Sequence, residues 1–221
     1  MEGDKLLIKP GHAVCSQKII DVMWREIMRH KKYTFTVGGE SGSGKSEIAS
    51  EIKRLLEEKG VKAGILQMDD YFIFPSKTCH EMRTKNVDQV GMFEARLDFL
   101  ECNLRSFKQG AEDIYKPLSL YAENRFTTEV KDVGDLRVLI AEGTYTTTLR
   151  FVDCHVFLDR NYEDTLPDRQ KRARDILDDL MKDILLREHK IIREHKKVAD
   201  IVINRDFTDI ELMRHSPSPW A

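Results

Sequence analysis

The stretch Gly39-Glu40-Ser41-Gly42-Ser43-Gly44-Lys45-Ser46 constrains this chain more than any other. Tyr33 to Val37, just before it, is a short β-branched and aromatic run and reads as a strand. After it, about Lys45 to Glu58 carries Ile48, Ile52, Leu55 and Leu56 on one helical face and stops at Lys59-Gly60. Strand, glycine-rich loop and helix match the pattern G-x-x-x-x-G-K-[ST] without deviation. The glycines permit backbone angles that turn successive N–H groups inward, and the helix adds its N-terminal N–H groups and dipole. Such a loop holds the phosphates of a nucleoside triphosphate. The segment Gly39, Glu40, Ser41, Gly42, Ser43, Gly44, Lys45, Ser46 and Glu47 is therefore the candidate donor site. In it Lys45 places charge near the β- and γ-phosphates, and Ser46 offers its hydroxyl to Mg²⁺.

The rest of the chain reads as alternating strands and helices. Residues 1 to 15 are expected to be an irregular lead-in broken by Pro10-Gly11. Residues 16 to 31 are expected to be a helix capped by Ser16, with Ile19, Ile20, Met23, Trp24, Ile27 and Met28 on one face. This helix is read as covering the core, with a dimer contact as the alternative. Further strands are expected at about Lys62 to Met68, Arg137 to Ala141, Cys154 to Leu158 and Ala199 to Ile203. A helix is expected from near Met92 to Gly110, loop or short strands over 111–134, and a long, charged helical stretch with interruptions over about 164–195. The strands are apolar throughout, as strands covered on both faces are. The expected fold is α/β: a five-stranded parallel sheet flanked by helices, the P-loop nucleoside triphosphate hydrolase fold, with a helical lid. The expected divisions are 1–32, a lead-in and helix packed on the core; 33–207, the main domain with a lid at about 160–175; and 208–221, a tail.

Bulk properties narrow the partners. The 221 residues suit one domain with a full core, and a net charge of -2 gives a nucleic-acid partner no electrostatic support. Cys15, Cys79, Cys102 and Cys154 form no CxxC pair, so reduced thiols are expected. No apolar run is long enough to span a bilayer and the start lacks the order of a signal peptide, so a cytoplasmic chain without a membrane partner is expected.

Carboxylates then narrow the class. A guanine-reading Asn-Lys-x-Asp motif is absent; Asn204-Arg205-Asp206 is not one. The strand Val138-Leu139-Ile140-Ala141 ends in Glu142-Gly143, and a carboxylate there can hold Mg²⁺, a hard ion that prefers oxygen. Asp69-Asp70 closes the second strand. Ligands of open α/β sheets sit outside the carboxyl ends of the strands, so Lys45, Asp69 and Glu142 should converge.

These segments resemble the uridine kinase and phosphoribulokinase group of P-loop kinases, over about Thr34 to Asp206. The resemblance is carried by the phosphate loop, Asp69-Asp70-Tyr71-Phe72, Asn86-Val87-Asp88 with Phe93-Glu94, Pro117 to Arg125, Ile140-Ala141-Glu142-Gly143, and Val198 to Ile203. It implies roles by motif position. Asp69 is the expected general base and a metal-site carboxylate beside Ser46 and Glu142. Tyr71, Asp88, Tyr121 and Arg125 fall on the acceptor side with Asp69, and Arg125 is also expected near the transferring phosphate. The family's lid falls on residues 160–174, where Arg169 and Arg172 share a face by their i, i+3 spacing and are expected to close over that phosphate, with Arg169 also on the donor.

This sequence departs from uridine kinases on the acceptor side. Gln89-Val90 stands where His-Pro is usual, Leu118-Ser119-Leu120-Tyr121-Ala122-Glu123-Asn124 lacks the usual base-reading aromatic and histidine unless Tyr121 substitutes, and Thr144–Val152 is short. His189 and His195 are six apart, poor for a shared metal, and are read as exposed. The favoured reading is an ATP- and Mg²⁺-dependent kinase of a small hydroxyl-bearing molecule, a uridine- or cytidine-like nucleoside first. Pantothenate, glycerate or a sugar phosphate is the alternative acceptor, and a low-turnover nucleotide-binding regulatory protein the alternative class. ATP over GTP is what the resemblance implies.

Overall fold

The computed structural model describes residues 6–166 and 179–213. The lid arginines Arg169 and Arg172, and the tail from residue 214, lie outside the described residues. The elements in order are α1 (Pro10–Arg29), β1 (Tyr33–Gly39), α2 (Lys45–Glu58), β2 (Ala63–Gln67), α3 (Ser76–Lys85), α4 (Leu97–Lys108), β3 (Asp113–Leu120), β4 (Arg125–Asp132), β5 (Val138–Glu142), β6 (Cys154–Leu158), α5 (Asp179–Ile192), β7 (Ile201–Ile203) and β8 (Ile210–Leu212).

The main sheet runs β2-β5-β1-β6-β7-β8. The first five strands pair in parallel, as expected, and β8 adds an antiparallel edge by pairing Ile201 with Leu212 and Ile203 with Ile210. The segment read as a tail thus supplies a sixth strand; three residues are too few to show a period in sequence. β1 and β5, at the centre, are buried at every position. That explains their unbroken apolar pattern: helices cover both faces. On one face Ile19, Ile20 and Ile27 of α1 and Ile48, Ile52 and Leu56 of α2 pack on Phe35 and Val37. On the other, Leu100, Leu104 and Phe107 of α4 pack on Leu66, Leu139 and Ala141.

Three local expectations are corrected. α1 begins at Pro10, not Ser16; proline suits a first helical position because the N–H it lacks would be unbonded there anyway. Ser16 lies inside the helix, its hydroxyl donating to the Ile48 carbonyl at 3.5 Å. The helix expected from Met92 splits into a 3-10 turn, Met92–Glu94, and α4. The stretch 111–134 is an antiparallel hairpin of two eight-residue strands, with Pro117 opposite Thr128. In this two-stranded sheet one of proline's sides needs no donor. Among the described residues no helix is long and apolar enough to cross a membrane. All four cysteines are unpaired.

The position of Phe35 in the central strand sets a stability contrast. Phe35→Ala removes a fully buried ring and is expected to cost about 3–5 kcal/mol. Tyr115→Ala, on the exposed face of the hairpin, should change stability by about 0.5 kcal/mol or less. Urea unfolding of both variants checks the pair.

Candidate active site

The strand register assembles the site. Val37 and Gln67 both pair with Glu142, so β1, β5 and β2 end side by side. From these ends come the phosphate loop, Glu142 and the 3-10 turn Met68–Tyr71 that carries Asp69. Gly143 allows this closeness: its φ is 156°, and a Cβ there would lie 2.3 Å from Cβ of Met68.

Within the loop, Gly44 adopts φ 105° ahead of α2. The Lys45 ammonium donates to the Glu40 carbonyl at 2.9 Å, and the Ser43 N–H donates to the same oxygen at 3.1 Å. Ser43 Oγ is buried without a hydrogen-bond partner. An orphaned hydroxyl in a glycine cradle fits an anion bound among the N–H groups. Glu47 sits in the first turn of α2 and accepts from the Leu7 N–H at 3.4 Å. On that flank a cavity is lined by Lys9, His12, Gly42, Gly44, Glu47 and Arg160. The Arg160 guanidinium lies 5.1 Å over the Phe207 ring.

Ser46 donates its hydroxyl to Glu142 at 3.1 Å. Glu142 is buried, and burial first, then the negative charge of Asp69, push its carboxyl up to about 7; Lys45 and the Ser46 hydroxyl oppose the shift. A buried carboxylate with a second carboxylate and a hydroxyl beside it favours a cation. Among the described residues no cluster of three or more His, Cys, Asp or Glu could hold a metal. The oxygens of Ser46, Glu142 and Asp69 fit Mg²⁺, which takes one or two carboxylates and completes its shell with phosphates and water.

The two aspartates of Asp69-Asp70 divide their work. Asp69 is half-buried at the strand end, whereas Asp70 is buried and turned away. Asp70 accepts from Lys116 Nζ at 2.8 Å and from the Ser119 N–H at 2.9 Å, and Lys116 also meets Glu129 at 2.9 Å. Asp70 thereby ties the hairpin to the turn that presents Asp69. Tyr71, expected on the acceptor side, is instead a core residue: it is fully buried, its hydroxyl accepts from Asn103 Nδ2 at 2.8 Å, and its ring packs edge-on against Phe99. In a 3-10 turn, successive side chains point a third of a turn apart, so Asp69 and Tyr71 cannot both face the site.

The other acceptor-side residues spread along the rim. Asp88 is exposed in a short turn, Val87–Gln89, and pairs with Arg187 of α5 at 2.8 Å. Tyr121, at the hairpin loop, is exposed beneath the Lys77 ammonium. Arg125 opens β4, is exposed, and pairs with Glu123 at 2.6 Å rather than with the phosphate loop.

Three residues of the site region lie differently from what the sequence suggests or carry no signal in it. Arg83 of α3 forms buried pairs with Glu94 at 2.6 Å and Glu188 at 3.1 Å. His189, read as exposed, places Nδ1 2.6 Å from Oε1 of Glu40 in the phosphate loop. His195, also read as exposed, is buried against Tyr145, and burial holds its imidazole below the usual range. The charge-rich composition around both histidines masked this; the buried Met181, Ile184, Leu185 and Ile192 reveal which side of the stretch faces inward.

A parallel sheet with a phosphate loop after β1, and carboxylates after β2 and β5, defines the P-loop kinase class. The chain belongs to the Phosphoribulokinase / Uridine kinase family, whose family model matches residues 35–209. The uridine kinase of Leuconostoc citreum (strain KM20) is 27% identical over 186 residues, covering 78% of this chain and 87% of the relative. Phosphoribulokinase from Rhodobacter spheroides matches with a TM-score of 0.60 at 18% identity, over 79% of this chain and 70% of its own. D-glycerate 3-kinase from Cryptococcus neoformans var. grubii matches with a TM-score of 0.60 at 13% identity, over 90% of this chain and 99% of its own. At such identities the two structures speak for the fold.

Two consequences follow for stability. Asp70→Asn strands a buried lysine and should cost about 3 kcal/mol, the low end for breaking a buried pair because Glu129 remains. Adding Lys116→Met should recover part of that loss in urea unfolding. Glu142 has a folded pKa above its unfolded value, so its contribution is full below about pH 4.5 and is lost as pH rises through about 7. Glu142→Gln should therefore match wild type near pH 5 and exceed it by about 3 kcal/mol near pH 8, without nucleotide or metal present.

Proposed function

We propose that this protein is an ATP-dependent kinase that transfers the γ-phosphoryl group to a hydroxyl of a small molecule, a uridine- or cytidine-like nucleoside first. The observation that carries the reading is the meeting of Lys45, Ser46, Glu142 and Asp69 where β1, β5 and β2 end. A donor cradle and a pair of carboxylates in one place are what phosphoryl transfer demands, since its catalysis is mostly positioning and charge stabilisation.

In this reading the loop N–H groups hold the triphosphate, and Lys45 leaves the Glu40 carbonyl for the β- and γ-phosphates. Ser46 and Glu142, with Asp69, would hold Mg²⁺, which supplies charge neutralisation on the transferring group when bound. Asp69 orients the acceptor hydroxyl and accepts its proton as the new P–O bond forms and ADP departs. Asp70 and Lys116 keep Asp69 aligned with the hairpin that bounds the acceptor side. Arg169 and Arg172 are assigned to closing over the phosphates, Arg169 over the donor as well. Asp88, Tyr121 and Arg125 are assigned to the acceptor rim. The nucleoside preference rests on the likeness to the Leuconostoc uridine kinase along most of both chains.

A second acceptor class, a different hydroxyl-bearing metabolite, is favoured by one observation. Asp88, where uridine kinases bind ribose hydroxyls, is engaged by Arg187. An acceptor with an anionic group could draw that guanidinium away from Asp88.

Lys45→Ala should abolish turnover with the circular dichroism spectrum intact, and Asp69→Asn should lower kcat by about 10²–10⁴ with little loss of ATP affinity. Kinase assays across nucleosides, glycerate, pantothenate and sugar phosphates identify the acceptor. Turnover of none of the nucleosides removes the first choice, and an unchanged rate in Asp69→Asn removes Asp69 from the chemistry.

A further inference from the structure

Three consecutive side chains of α5 reach three different parts of the site. Arg187 pairs with Asp88, Glu188 with Arg83, and His189 with Glu40 of the phosphate loop. Of these contacts, the last touches the donor machinery directly. Glu40 occupies a variable position of the loop pattern, yet its side chain is almost fully buried. Its carboxylate receives His189 Nδ1 at 2.6 Å and a hydrogen bond from the Tyr162 backbone. The Tyr162 ring packs at 5.7 Å on the His189 ring, and Glu188 adds negative charge nearby. The Glu40 carbonyl, two bonds from the same Cα, is what the Lys45 ammonium and the Ser43 N–H both grip.

A buried carboxylate inside a phosphate cradle is otherwise a liability. It repels the triphosphate, and burial already works against its ionised form. A carboxyl oxygen and an imidazole nitrogen this close share one proton between them. That bond ties the Glu40 side chain to α5. We propose that His189 is a positioning residue for the donor site, acting through Glu40 to hold the phosphate loop and Lys45 in the arrangement that accepts a triphosphate. The proposal rests on the reading of Gly39 to Ser46 as that donor site. It assigns α5 a part in donor binding that neither the loop motif nor the strand ends contain.

Kinetics and ATP titration of His189→Ala, His189→Gln, and His189→Ala combined with Glu40→Gln test it. Loss of a charge-assisted hydrogen bond should raise the ATP KM and Kd of His189→Ala about tenfold, with kcat at saturating ATP within about threefold of wild type. His189→Gln, which keeps a donor, should recover most of the affinity. The double variant should recover it too, since Glu40→Gln removes the buried carboxylate that His189→Ala leaves without its ring partner. Unchanged ATP affinity in His189→Ala overturns the proposal. So does failure of both rescues with a lowered melting temperature, which would mark His189 as merely structural. Lys45→Ala serves as the control: if it binds ATP like wild type, the donor-site reading falls. If it loses ATP while His189→Ala does not, the role of His189 alone falls.

Discussion

Glu142 is paired through its backbone with Val37 on one side and Gln67 on the other, and the rest of the site depends on that register. Parallel strands end together, so the chain must leave all three at one edge of the sheet. Backbone N–H groups of the loop after β1, the side chain ending β5 and the turn after β2 are thereby focused on one volume. The cost of the focus is electrostatic: Glu142 and Asp69 are brought together in a dry corner, and Glu142 answers with a carboxyl held near neutrality. The same arrangement is what the proposed Mg²⁺ would relieve.

Around that corner the molecule uses buried charge pairs as struts. Asp70 with Lys116 ties the hairpin to the turn bearing Asp69, and Arg83 with Glu94 and Glu188 ties α3 to α5. Such pairs add little net stability, because desolvation offsets most of the attraction, but each tolerates one geometry only. They suit a site that must hold donor and acceptor at a fixed separation. The pair of Glu40 with His189 extends the same device to the phosphate loop itself.

The acceptor side is built differently. Asp88, Tyr121 and Arg125 are exposed, on a short turn and a hairpin loop, and each has a partner reachable by solvent. Side chains in such places can be exchanged without disturbing the sheet. That agrees with a sequence that departs from uridine kinases at Gln89-Val90 and along Leu118 to Asn124.

The strand, glycine-rich loop and helix of the proposed donor half were legible in the sequence because their physics is local. Glycine spacing, a β-branched run before it and a 3.6-residue period after it lie within Tyr33 to Glu58, and the apolar runs ending in Asp69 and Glu142 marked the other strand ends. What the sequence could not separate was neighbours of like chemistry. Asp69 and Asp70 are adjacent and identical, and only the packing of Lys116 shows which one is a strut. Tyr71 reads like a site residue until Asn103 and Phe99 close over it. His189 lies 149 positions from Glu40, in a stretch whose charges look solvated. Partners so distant in sequence leave no periodic trace, and their meeting is decided by how α5 packs beside α3 and the Val87–Gln89 turn.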